Sequence, residues 1–173
     1  MTTAQITAQT DIASKSSAQH SPSGSDAAAE FLSTLRNRPP VDRAFLSNEG
    51  FRNTVHQGRK GFELKVRLTS YRSLPLSCIE GIELSIDGQS VNSSDITLIL
   101  DNHSYRLDEL PHCSSIWWFI LDFARLFVAR ESALAPGEHD VEGTLITVEP
   151  YITGGRFSFF NTSRKRLCLE TEL

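Results

Sequence analysis

The chain has 173 residues, enough for one domain and a tail but too few for two ordinary domains. Hydrophobic residues make up 39% and charged ones 22%, so most of the chain supports a core, and the net charge of -4 argues against nucleic acid, which asks for a basic patch. The first 45 residues hold four acids and four bases, so the excess sits in the remainder, 17 acids against 13 bases.

The cysteines, Cys78, Cys113 and Cys168, are widely spaced and form no Cys-x-x-Cys. That disfavours both a thiolate zinc site and a disulfide framework. No apolar run reaches the length of a signal peptide or a membrane span. The expectation is a cytoplasmic protein without membrane contact, in which the sequons at Asn92, Asn102 and Asn161 are chance matches.

Residues 1–45 read as a disordered tail, because their Thr, Ser, Ala and Gln content cannot offset the entropy of ordering. Within it, 26–36 has a capping Ser25, helix-favouring alanines and a narrow stripe of Phe31, Leu32 and Leu35, so a short helix is expected there. Pro39-Pro40 ends it. Residues 46–173 are expected to form the folded domain.

Gly50 to His56 predicts a first strand, and Gln57 to Gly61 a hairpin turn. Phe62, Leu64, Val66 and Leu68 then alternate with Glu63, Lys65, Arg67 and Thr69, which predicts a strand with one apolar face and one polar face turned to solvent or a wet interface. Tyr71 to Ser77 reads as a loop broken by Pro75. Ile79 to Ile86 alternates again and runs into Asp87-Gly88, a strong signal for a tight turn with positive φ at both central residues. Ile96 to Leu100 is the next strand, Asp101 to His103 the next turn, and Tyr105 and Leu107 lie on a short strand.

Trp117 to Phe123 is apolar on both alternating faces, so it reads as a strand buried on both sides, with a helix as the competing assignment. Leu134-Ala135-Pro136-Gly137 is a turn. His139 to Val148 follows, with His139, Val141, Gly143, Leu145 and Thr147 on one face, broken by Glu149-Pro150. Gly154-Gly155 turns the chain into a short aromatic strand at Phe157 to Phe160. Leu167 to Leu169 is expected to be a separate final strand, with Arg164-Lys165-Arg166 at its solvated start. About eight short strands with regular turn signals predict an all-β fold, a small antiparallel β-sandwich of immunoglobulin-like or jelly-roll type.

Few residues suggest catalysis. His103, His112, His139, Cys113 and Asp101 match no metal-ligand spacing. His112 and Cys113 are adjacent, so a strand would point them to opposite faces, away from a nucleophilic pair. Gly154-Gly155 lacks the strand-to-helix setting of a phosphate loop. No catalytic residue and no metal ligand is assigned. The aromatics at or near predicted loops, Tyr71, Tyr105, Trp117, Trp118 and Tyr151, are better candidates for contact with a partner or substrate, although the two tryptophans are expected to fill the core. The contact residues expected are Arg52, Asn53, Tyr71, Arg72 and Pro75.

Three stretches, Gly50-Phe51-Arg52-Asn53, Gly61 to Arg67 and Tyr71 to Ser77, followed in order by Ile86-Asp87-Gly88, Tyr105 to Leu110 and Leu134 to Val141, resemble the beta subunit of the C-glycoside deglycosidases over residues 49–148. The resemblance implies a β-sandwich paired with a larger alpha subunit, a TIM barrel similar to sugar isomerases and epimerases. Such a complex cleaves the carbon–carbon bond between sugar and aglycone in a 3-oxo-C-glycoside. It implies a divalent metal, such as manganese, and a general base on the alpha subunit, and no cofactor in this chain. The beta subunit would complete, cover or stabilise the partner's site. A stand-alone carbohydrate- or protein-binding module is the alternative, and a hydrolase built on His112 and Cys113 ranks far behind.

Overall fold

The architecture is seen in a computed structural model, which describes residues 45–154 and 157–170. The tail and helix expected within residues 1–44 lie outside the described residues. Among the described residues eleven strands form two antiparallel sheets and one two-stranded ribbon. The strands are β1 (Arg52–His56), β2 (Arg59–Arg67), β3 (Leu74–Pro75), β4 (Ile79–Ile86), β5 (Gln89–Ser90), β6 (Ile96–Leu100), β7 (His103–Arg106), β8 (Trp117–Trp118), β9 (Phe123–Ala129), β10 (Glu138–Val148) and β11 (Ser158–Cys168). One short helix, α1 (Pro150–Thr153), follows β10 and ends at Gly154 in the left-handed region. This is the expected all-β sandwich.

The five-stranded sheet has the order β1-β2-β9-β6-β7, and the four-stranded sheet the order β11-β10-β4-β5. Between them lie Phe62, Leu64 and Val66 from β2, Leu126 and Val128 from β9, Leu98 from β6, and Ile82, Leu84, Val141 and Leu145 from the opposing sheet, all nearly inaccessible. The alternation read in β2, β4 and β10 is the alternation that packs this core. Phe45 and Leu46 complete it. They rest on Gly143, where a Cβ would sit 3.0 Å from both side chains.

Tight turns set the registers. Gln57-Gly58, Asp87-Gly88 and Asp101-Asn102 all have positive φ at both positions, the geometry that matches the twist of paired strands. The first turn is shorter than the sequence suggests, because Arg59, Lys60 and Gly61 already belong to β2. Gly61 is needed there by close approach: a Cβ would lie 1.9 Å from the Val128 carbonyl oxygen. The first strand likewise begins at Arg52 rather than Gly50, which is a left-handed turn with φ of 77°.

Three further expectations are corrected. The C-terminal segment is one strand of eleven residues, paired with β10 along its full length, and not two. Its basic triplet is therefore no strand end: Arg164 pairs with Glu142 and Arg166 with Asp140, each directly opposite in register. The Tyr71 to Ser77 stretch is not all loop, since Leu74 and Pro75 pair with Trp118 and Trp117. Most consequential, Trp117 to Phe123 is not a doubly buried strand. It breaks after Trp118, turns through 119–122, and starts β9 at Phe123.

Candidate functional site

The registers explain why this stretch is exposed. Arg67 lies opposite Phe123 at the end of the five-stranded sheet, and Leu74 lies opposite Trp118. The ribbon β3–β8 has the same antiparallel sense as β2–β9 and follows it after a loop on each strand, 68–73 and 119–122. The two loops are held together by the Ile120 amide donating to Ser73 Oγ (3.2 Å), and the second is closed by the Trp118 indole donating to the Asp122 carbonyl (3.1 Å). Trp118 is fully buried and anchors the ribbon.

The other apolar side chains of this stretch are left exposed to different degrees among the described residues. Leu121 is 87% exposed, Phe119 53%, Trp117 42%, Phe123 40% and Ile120 38%. Large apolar groups scattered singly on a surface need no explanation, but a contiguous exposed ridge marks a docking site. Tyr71, Tyr151 and Ile152 are also exposed.

Two arginines and a lysine lie against aromatic rings here. Arg67 and Lys65 sit over Phe123, 4.6 and 4.2 Å from the ring centre, and Arg72 lies 5.4 Å from the Tyr71 ring and 5.6 Å from that of Tyr151. Such contacts favour a cation electrostatically and hold the side chain in place.

The five expected contact residues separate into two groups. Tyr71, Arg72 and Pro75 belong to the ridge. Arg52 and Asn53 lie on β1 and serve the frame. Arg52 is bound to Glu63, and the Asn53 amide exchanges two 3.0 Å hydrogen bonds with the backbone of Leu134. The neighbouring Phe51 packs edge-on against Phe62 and His139. The Gly50 amide donates to Glu170 (2.6 Å).

The polar face of β2 is not simply solvated. Glu63 is 4% exposed. Its carboxylate accepts from Arg52, directly across on β1, at 2.6 Å and from Arg125, diagonally placed on β9, at 3.2 Å. Opposite charges compensate the cost of burying that acid.

The histidines weighed for chemistry are engaged elsewhere. His139 Nδ1 meets Asp87 at 2.7 Å and its Nε2 meets the Ala135 carbonyl at 2.8 Å. Both neighbours accept, so the imidazolium satisfies both, and the Asp87 bond raises the group above its ordinary value. His103 bonds the Asp101 carbonyl, and His56 bonds Ser104. The Cys113 thiol donates to the Glu109 carbonyl (3.4 Å) and is not paired with His112. Among the described residues no three His, Cys, Asp or Glu side chains gather as metal ligands. Nor is any described helix long and apolar enough to cross a membrane.

Tyr151 was among the loop aromatics expected to suit contact, whereas Phe119 and Leu121 were expected to be buried in a strand and are exposed. A run that is apolar on both faces and interrupted by Asp122 was the available signal.

Residues 41–151 match the family model described as C-glycoside deglycosidase beta subunit. A 3'-dehydrocarminate deglycosidase beta subunit from a Microbacterium species is 30% identical over 109 residues, 62% of this chain and 82% of that one. A C-glycoside deglycosidase beta subunit from Microbacterium trichothecenolyticum is 37% identical over 89 residues, 51% of this chain and 67% of the relative. One from Arthrobacter globiformis is 34% identical over 98 residues, 57% and 73%. The family match spans most of the described sandwich, including the ribbon and its exposed ridge, and the chain belongs to the C-glycoside deglycosidase beta subunit family.

Proposed function

We propose that this chain is the non-catalytic beta subunit of a heteromeric carbon–carbon lyase acting on 3-oxo-C-glycosides. Its partner is a TIM-barrel alpha subunit similar to sugar isomerases and epimerases. That subunit holds a divalent metal, manganese being the candidate, and the general base. A 3-oxo group acidifies the neighbouring sugar C–H, so removal of that proton by a base can be followed by loss of the aglycone. The name of one relative, with its 3'-dehydro substrate, supports this substrate class.

The observation that carries the reading is the exposed ridge from Trp117 to Phe123. A family of subunits needs a surface that is unfinished alone, and here the ribbon anchored by Trp118 leads into a turn that exposes Phe119 and Leu121. In this reading Tyr71, Arg72 and Pro75 make contacts with the alpha subunit or the substrate it encloses. Arg52 is 42% exposed beside Glu63, and with Asn53 it fixes the strand from which that surface is built. The thiols of Cys78, Cys113 and Cys168 are all free, which fits a reducing cytoplasm as the compartment.

The test is co-expression of the tagged full chain with the alpha subunit from the same genome. Recovery of a stoichiometric complex that cleaves a 3-oxo-C-glycoside, while this chain alone does not, is the expected result. A monomer that ignores the alpha subunit and binds glycosides by itself would instead identify a stand-alone binding module.

A further inference from the structure

Apolar exposure says that the ridge is covered, but not by what. The arginines beside it carry that information. Arg67 makes no side-chain hydrogen bond or ion pair among the described residues, and neither does Arg72. Each is exposed, yet each is held against an aromatic ring. A guanidinium restrained in this way keeps its N–H donors uncommitted, and it has already lost part of the side-chain freedom that binding would remove. Carboxylates match that planar fork in pairs of hydrogen bonds.

The charges facing the ridge have to be counted from every side. Lys65 lies over Phe123 and reaches Glu49 at 4.0 Å, a loose contact with an acid that is itself 80% exposed. Asp122 is the acid of the turn itself. Glu149, ahead of Tyr151, is buried, so among the accessible charges Lys65, Arg67 and Arg72 outnumber Glu49 and Asp122 on a chain whose total charge is -4. A second copy of this chain is a poor occupant. Face-to-face pairing would set these cations against their own counterparts, whereas the exposed sheet acids Asp140 and Glu142 are already paired with Arg166 and Arg164.

We propose that the ridge fits a companion surface with an apolar socket for Phe119 and Leu121 and carboxylates placed to receive Arg67 and Arg72. This rests on the reading of the chain as a beta subunit, and it adds the chemistry of the partner. The apolar socket supplies affinity, and the two stacked arginines fix orientation and exclude surfaces that lack acids.

The experiment measures binding of the full chain to the co-expressed alpha subunit by calorimetry at low and high salt. Arg67→Gln/Arg72→Gln is expected to weaken binding about tenfold or more at low ionic strength and to flatten the salt dependence, because rim charges are screened by salt. Arg67→Lys/Arg72→Lys keeps both charges but loses the fork, and is expected to recover only part of that loss. Leu121→Ser is expected to weaken binding at every salt concentration. All three variants change exposed side chains, so their melting temperatures should match the parent. Unchanged affinity of the double Gln variant overturns the carboxylate assignment while leaving the subunit reading intact. Failure of the unaltered chain to bind the alpha subunit overturns both.

Discussion

Glu63 offers the sharpest test of how the five-stranded sheet is held. Replacing it with Gln keeps the shape but leaves Arg52 and Arg125 facing a neutral amide. The carboxylate is 6% exposed, and the two arginine side chains are 42% and 40% exposed. Removing one partner of a fully buried ion pair costs about 3–5 kcal/mol. Water still reaches both guanidinium groups, which discounts the penalty to about 2 kcal/mol. For a domain of this size that corresponds to a drop of roughly 8 °C in Tm. Urea unfolding followed by tryptophan fluorescence, to which Trp118, fully buried in the native fold, contributes with Trp117, measures it directly. The triple variant Arg52→Met/Glu63→Leu/Arg125→Met removes all three charges together and should recover most of the loss, since an apolar replacement of the whole cluster leaves no charge uncompensated. A Glu63→Gln midpoint within about 0.5 kcal/mol of the parent would refute the argument, because that is the range of an ordinary surface change.

Other outcomes follow from single contacts. The bond to Asp87 raises His139, so its contribution is complete below the ordinary histidine value of about 6.5 and is lost as pH rises through the raised one. Asp87 is lowered by the same bond, so its share is present above the ordinary carboxylate range and is lost as pH falls through the lowered value. Urea midpoints should therefore be highest in the mildly acidic range, and His139→Gln should flatten the profile. Thr147 is fully buried, and its hydroxyl has no hydrogen-bond partner among the described residues. Thr147→Val should stabilise by about 1 kcal/mol in the same urea assay. Asn53→Ala removes two hydrogen bonds to Leu134 and should cost about 1–2 kcal/mol. Gly61→Ala drives a Cβ into the Val128 carbonyl, so loss of folded protein on expression, or a Tm fall larger than that of Glu63→Gln, is expected.

Much of the sandwich was legible because its determinants are local. Asp87-Gly88 and Asp101-Asn102 announce their turns through residues that tolerate positive φ. The alternation in Ile79–Ile86 and His139 to Val148 names the core side directly. What failed to read out depends on distant partners. Glu63 looks like a solvent-facing acid until Arg125 arrives from 62 residues away. Arg164 and Arg166 look like a strand end until Glu142 and Asp140 line up on β10. Trp117 to Phe123 misleads for a different reason. Hydrophobicity states that a surface is to be buried, but not whether its cover lies in the same chain. Tyr71, Arg72 and Tyr151 were recognisable as loop residues suited to contact, whereas the meeting of Arg72 with both tyrosine rings depends on the fold.

The order of pairing in the five-stranded sheet has a consequence for synthesis. The edge of β2 that accepts β9 is translated some 62 residues before its partner, as the Glu63–Arg125 separation shows. At typical elongation rates of about 5–20 residues per second, that edge waits for roughly 3–12 s in a nascent chain. The clasp from Gly50 to Glu170 spans 120 residues and closes only once β11 and Glu170 have emerged from the ribosome. The ridge and β9 are made back to back, so the apolar ribbon becomes available at the moment the open sheet is sealed. A companion chain that captured the ribbon at that point would also shorten the interval in which a half-built β-sheet can pair with its neighbours on the same messenger.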